Sequence, residues 1–178
     1  ALETYLGQKG ANRGKTFHTA AQRACTYLVE ACGAEDLAGY SRADALKYRD
    51  YLIAKGMVGS SVSRVMSSIR AVFNFAISEY ALDLKNPFTG LYFDKTAGVS
   101  KRLPIPINDI RKVQEQCRII DDEMRWLVAL VSDTGLRLAE AAGLLKSDIV
   151  LDADIPFLRV SVHPWRAVKT SGSVRVVP

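Results

Sequence analysis

The chain has 178 residues, 48% hydrophobic and 24% charged, which supplies one or two real cores and excludes a disordered, collagen-like or low-complexity polypeptide. Its net charge of +5 is spread over both halves: residues 1–99 carry 12 basic and 9 acidic groups, residues 100–178 carry 12 and 10. That balance favours a polyanionic partner without requiring one.

No apolar run is long enough to span a bilayer, and the start, ALETYLGQKG, has no signal-peptide core, so no membrane partner is expected. Cys25, Cys32 and Cys117 are odd in number and follow no metal or redox spacing. They read as small buried hydrophobes of a reducing cytoplasm.

In chain order, Thr16 to Ala31 places Phe17, Ala21, Ala24, Leu28 and Ala31 at helical spacing, with Thr16 as cap and Gly33 as stop. Ser41 to Lys55 begins with a serine cap, has Asp44 three residues later and ends at Gly56. Ser60 to Tyr80 predicts a long helix whose stripe is Val62, Val65, Met66, Ile69, Val72, Phe73, Ala76 and Ile77. The NPF of Asn86–Phe88 then breaks it and offers a proline to start a short new helix.

From residue 90 the periodicity is lost and Gly, Ser, Lys and Arg dominate. The expected division is a helical domain over 1–95, a linker over 96–103 and a second domain over 104–178. Beyond the linker, INDIRKVQEQCRII has Asn108 at a cap position. DDEMRWLVALVSDTG is a helix opened by three acids, where the dipole favours them, and closed by Gly135. Arg137–Leu144 is a short helix. The period then changes to two, and FLRVSV (157–162) and SVRVVP (173–178) predict a β-hairpin around a Lys-Thr-Ser-Gly turn. The fold class expected is mainly α with a small β portion.

Two cations carry the chemical question. Arg137 opens its helix directly after a Thr-Gly turn. On the residues alone it is either an i,i+3 ion pair with Glu140 on a helix surface, or a fork for two non-bridging oxygens of a phosphate. Lys169, 32 residues later, is either a solvated turn lysine or a proton donor reaching into a neighbouring groove.

Together, TGLRLAE and the later KT…VRVVP resemble the tyrosine recombinase family, which includes phage and mobile-element integrases. SSVSRVMSSIRAVFNFAISEY with NPF is similar to that family's all-α, SAM-like core-binding domain, and the linker and LP entry are similar too. The resemblance covers nearly all of residues 14–178. It implies an all-α core-binding domain followed by the truncated start of an α+β catalytic domain.

The resemblance also implies a reaction: a tyrosine cuts one DNA strand, forms a 3′-phosphotyrosyl bond, and the step is reversed onto a new strand. Arg137 matches the arginine that neutralises the scissile phosphate and Lys169 the hairpin lysine that protonates the departing 5′ oxygen. Glu140 matches an acid that braces the arginine. Neither metal nor cofactor is implied, since cationic side chains take that part.

The family's later His-x-x-Arg, a further His or Trp, and the nucleophilic tyrosine find no match. HPWR at 163–166 spells His-x-x-Arg but precedes Lys169 and contains Pro164. It is read as a chance match, with Arg166 near the DNA backbone. All seven tyrosines (Tyr5, Tyr27, Tyr40, Tyr48, Tyr51, Tyr80 and Tyr92) precede the linker. The expectation is an N-terminal piece of a cytoplasmic, bacterial or phage-encoded recombinase that binds double-stranded DNA and does not cut it. Intact family members act as tetramers on DNA.

Ser61, Arg64, Arg70 and also Ser68 on the long helix are the candidates for groove and phosphate contacts, against the reading of a solvated helix face. Lys95, Lys101 and Arg102 are the candidates to track phosphates from the linker. Two readings of other classes stand beside this one: a non-catalytic DNA-binding regulator with the same fold, and a helical protein-interaction module.

Overall fold

The computed structural model describes residues 1–178 apart from Ala167 and Lys169, with Ser171 described in its backbone only. The chain divides into two compact units, Ala1–Arg102 and Leu103–Pro178. Among the described residues, no helix is long and apolar enough to cross a membrane.

The first unit is all helical: α1 (Leu2–Lys9), α2 (Lys15–Cys32), α3 (Arg42–Ala54) and α4 (Gly59–Glu79). Most of the stripe residues read for α2 and α4 meet α3 in one core. Ala24, Leu28 and Ala31 of α2, Ala45, Tyr48 and Leu52 of α3, and Val62, Val65, Met66, Ile69 and Phe73 of α4 are all buried there. Tyr48 is wholly buried, and its hydroxyl donates to the Ala24 carbonyl at 2.9 Å, so its polar end is satisfied inside the core. α1, which the sequence periodicity did not reveal, adds Tyr5 to a second cluster with Ala21, Val72 and Phe75.

Local signals explain most of the helix ends. Ser41 caps α3 in a full capping box with Asp44, and Gly33 ends α2 with φ +89°. Two expected caps move outward: Gly14 rather than Thr16 precedes α2, and Pro106 rather than Asn108 precedes the first helix of the second unit.

The short helix expected at NPF is replaced by a turn over 87–90. Asn86 is the reason. Its Nδ2 donates to the Arg70 carbonyl and to Asn74 Oδ1, while its Oδ1 accepts from the Phe88 N–H. Arg42 donates to the carbonyls of Pro87, Thr89 and Gly90. With its carbonyls so engaged, the segment delivers Phe88 into the core, edge-on to Tyr48 and Phe73, instead of coiling.

The second unit contains α5 (Ile107–Ile120), α6 (Glu123–Thr134) and α7 (Leu138–Ala142), then an antiparallel sheet of β1 (Ile149–Val150), β2 (Phe157–Val160) and β3 (Arg175–Val177) in the order β1-β2-β3. Leu158 pairs with Ile149 and Val177, and Val160 pairs with Arg175. Leu158 and Val160 point inward and join Leu136 and Ala141 in a small core. β2 and β3 form the expected hairpin, but the connection is a long excursion with a bridge between His163 and Arg166 rather than a tight turn.

Candidate functional site

α6 ends at Gly135, whose φ of +64° and ψ of 18° are the left-handed conformation that glycine adopts without strain. The chain reverses there, and Leu136 drops into the small core at 3% exposure. Arg137 is thereby fixed as the N-cap of α7, its φ and ψ extended at −66° and 145°. Its side chain is 56% exposed.

The partner of Arg137 is Glu140, as an i,i+3 pair, but not on a solvated face. Glu140 is only 4% exposed. Arg137 Nη1 donates to Glu140 Oε1 at 2.6 Å and its backbone N–H to Oε2 at 3.1 Å. A second arginine, Arg175 of β3, reaches the same carboxylate. Its Nη2 donates to Oε2 at 2.9 Å and its Nη1 to Oε1 at 3.4 Å.

Hydrogen bonding from Arg175, outweighing the penalty of burial and joined by the Arg137 backbone and side chain, holds the Glu140 carboxyl down at about 2. The same pairing raises Arg175 above its ordinary value. Ser173, itself buried, completes the cluster. Its carbonyl accepts from Arg175 Nη1 at 3.0 Å, and its hydroxyl lies 3.5 Å from Arg137 Nη1 and 3.1 Å from Thr170 Oγ1.

Arg175 and Ser173 were not among the sequence candidates. The one available signal was a charged residue inside an alternating strand. In SVRVVP the alternation sorts Arg175 with Val177 and Val174 with Val176, without saying which pair faces inward.

The expectation that Arg166 lies near a DNA backbone is corrected. Arg166 is 5% exposed and structural, with its Nη1 donating to the Glu140 carbonyl at 2.5 Å and its Nη2 to the Ser161 carbonyl at 2.6 Å. Its neighbour His163 faces Asp148, Nε2 to Oδ2 2.7 Å, and stacks on Trp165 with ring centroids 5.0 Å apart. The Leu145 backbone N–H first, then His163, lower the Asp148 carboxyl, so it accepts and His163 Nε2 donates. His163–Arg166 thus belongs to the scaffold under the Glu140 cluster. Lys169 lies outside the described residues.

In the first unit, α4 presents a polar stripe opposite its buried face. Gly59 permits its start to be closely covered. A Cβ there would lie 2.2 Å from the Asp94 carbonyl oxygen, and the Gly59 N–H donates to the Ala97 carbonyl at 2.8 Å. Residues 94–97, which run from the end of the expected helical domain into the expected linker at 96–103, are therefore folded onto the start of α4, which fixes the backbone of Lys95.

Arg64 is exposed at the centre of the polar stripe, between Ser60 and Ser67, with Ser61 and Ser68 half-buried on its flank. Arg70 lies on the opposite flank and is turned back on its own helix, donating to the Met66 carbonyl and the Ser67 hydroxyl. Lys95, Lys101 and Arg102 are exposed. Among the described residues no cluster of His, Cys, Asp and Glu could hold a metal ion.

No family profile and no curated protein matches the chain. Solved structures do. The Tn1549 transposon integrase in complex with circular intermediate DNA superposes with a TM-score of 0.77 at 19% identity, covering 99% of this chain. The chain shares its fold with a transposon integrase.

A tyrosine-to-phenylalanine variant of that integrase, in complex with transposon right end DNA, gives 0.75 at 19% identity. An arginine-to-lysine variant with circular intermediate DNA gives 0.76 at 18%. Both again cover 99% of this chain. The chain spans 58–59% of the length of these integrase chains. The shared fold and the resemblance read from TGLRLAE and VRVVP are carried by different observations.

Proposed function

We propose that this chain is the DNA-binding part of a site-specific DNA recombinase of the integrase type, whose whole protein cuts and rejoins DNA through a 3′-phosphotyrosyl intermediate. The observation that carries the reading is the Arg137 guanidinium: half in solvent, with its backbone and one nitrogen held by a buried carboxylate that its partners keep ionised well below the usual range. An arginine so braced loses little freedom on gripping a phosphodiester, and its fork suits two non-bridging oxygens. The integrase of similar fold was solved with DNA, which supports the same partner here.

In this reading Arg137 offsets charge on the scissile phosphate, Glu140 fixes Arg137, and Lys169 protonates the departing 5′ oxygen. Ser61, Arg64 and Arg70 of α4 contact the groove and backbone, and Lys95, Lys101 and Arg102 track flanking phosphates. The second unit contains no tyrosine. The 178 residues are therefore expected to bind duplex DNA without becoming covalently joined to it.

The test is a mobility shift on duplex DNA at two salt concentrations with wild type, Arg64→Ala and Arg137→Ala, beside a radiolabelled suicide substrate. Expected are binding that falls steeply with salt, weaker binding by both variants, and no labelled protein. Salt-independent or absent binding would remove the DNA reading. A covalent adduct would remove the assignment of these residues as non-cleaving.

A further inference from the structure

The Glu140 carboxylate holds two guanidiniums, of which Arg137 is the more exposed. Had Glu140 only Arg137, the pair would be neutral, and an incoming phosphodiester would compete with the carboxylate for the same cation. Arg175 changes that count. It donates to both carboxylate oxygens, at 2.9 and 3.4 Å, and to the Ser173 carbonyl at 3.0 Å. Its place opposite Val160, on the inward face of the sheet, makes it less exposed than Arg137, at 34% against 56% for the side chains. The three groups together keep one positive charge, and the more exposed guanidinium carries it toward solvent.

We propose that Arg175 is a positioning residue of the phosphate site: by compensating the Glu140 charge, it leaves Arg137 net cationic toward a DNA phosphodiester. The inference rests on the recombinase reading above and adds a residue to it. Arg175 need not touch the phosphate. It acts through the carboxylate, and what it supplies is charge, which distinguishes it from a strand residue that merely packs.

The experiment compares the 178-residue chain with Arg175→Met, Arg175→Lys, Arg137→Met and the double variant Glu140→Gln/Arg175→Met. Each is assayed on a random-sequence DNA duplex at several salt concentrations, with circular dichroism to establish folding. Arg175→Met and Arg137→Met are each expected to lower affinity roughly fivefold and to reduce the salt slope by about one. Arg175→Lys, which keeps the charge, should stay within about twofold of wild type. The double variant, which removes one charge of each sign, should recover to within about twofold, a rescue that a purely structural role does not produce.

Arg175→Met binding like wild type while Arg137→Met binds weakly overturns the proposal. So does a folded double variant that fails to bind. Should Arg175→Met not fold, the double variant against wild type decides in the same way. Wild type that shows no salt-dependent binding sinks the recombinase reading itself, a pattern unlike either of those.

Discussion

The two units differ in how they hold charge and in how completely they close their apolar surface. Residues 1–102 carry 14 basic and 9 acidic side chains, so the whole net charge of +5 lies there; residues 103–178 carry 10 of each. The first unit is a diffuse electrostatic body, suited to drawing in a polyanion over a Debye length. The second is neutral overall, and among its described residues an organised cationic feature is built locally by placing Arg137 and Arg175 around Glu140. Neutrality of a domain thus says little about its capacity to hold a phosphate; what decides it is which charges are buried and which face outward.

The cores differ likewise. The first unit seals Tyr48, Leu52, Met66, Ile69 and Phe88 almost completely, whereas α5 and α6 bury no residue fully. Ile107, Ile119, Met124, Trp126 and Leu151 of the second unit are each about half exposed or more, at 60%, 67%, 63%, 63% and 74%.

The sequence supplies its own probes for this contrast, since all seven tyrosines lie in the first unit and both tryptophans, Trp126 and Trp165, in the second. The sharpest break is Leu52→Ala. It should cost about 3 kcal/mol by opening a cavity in the sealed core. Helical circular dichroism should show a lowered midpoint, while tryptophan fluorescence, reporting the second unit, keeps its own earlier transition. Coincident transitions in wild type and variant would mean that the units unfold as one.

The next effect is on DNA. Arg64→Ala should weaken binding roughly tenfold and lower the salt slope by about one, more than Arg137→Ala does, because α4 belongs to the charged unit and Arg137 is proposed to serve a single phosphate. The reverse ranking in a mobility shift would exchange the roles assigned to the two units.

Acid should act on the second unit through Glu140. Its carboxyl is lowered in the folded chain to about 2 from an ordinary 4.5, so its contribution is fully present above about pH 5 and is lost as pH falls toward 2. The tryptophan-monitored midpoint should therefore fall over that window. Glu140→Gln should flatten the fall, leaving the smaller part due to Asp148, which is also lowered.

The smallest change is Ser41→Ala. Loss of the capping box should cost about 1 kcal/mol in the dichroism transition and leave the tryptophan transition in place.

Helices α2 to α6 were legible from periodicity and from turn residues at their ends, since a 3.6-residue stripe and a glycine stop are local facts. α1 was not: its apolar residues are few, and it takes its place through tertiary contacts, Tyr5 packing against Phe17 and Phe75 among them. NPF misled because a proline permits a helix but does not require one. What settled the outcome was Arg42 and the Asn86 side chain taking the hydrogen bonds that a helix would have used.

Arg137 and Glu140 could be paired from their spacing. Whether that pair was a surface ornament or a braced cation could not, because the spacing says nothing about burial. The sequence by itself determined the helical stripes, the Ser41–Asp44 cap and the glycine stops, and it offered the pairing of Arg137 with Glu140, all of which depend on residues within a turn or two of each other.

Only the tertiary structure decided which face of SVRVVP turns inward. Three valines there invite the reading that Val174 and Val176 are core, yet they are 51% and 56% exposed, and Arg175 is the residue carried in to Glu140. The pleat fixes alternation but not its sign. The sign is set by register against Val160 and by a buried carboxylate 35 residues away that needs a second cation.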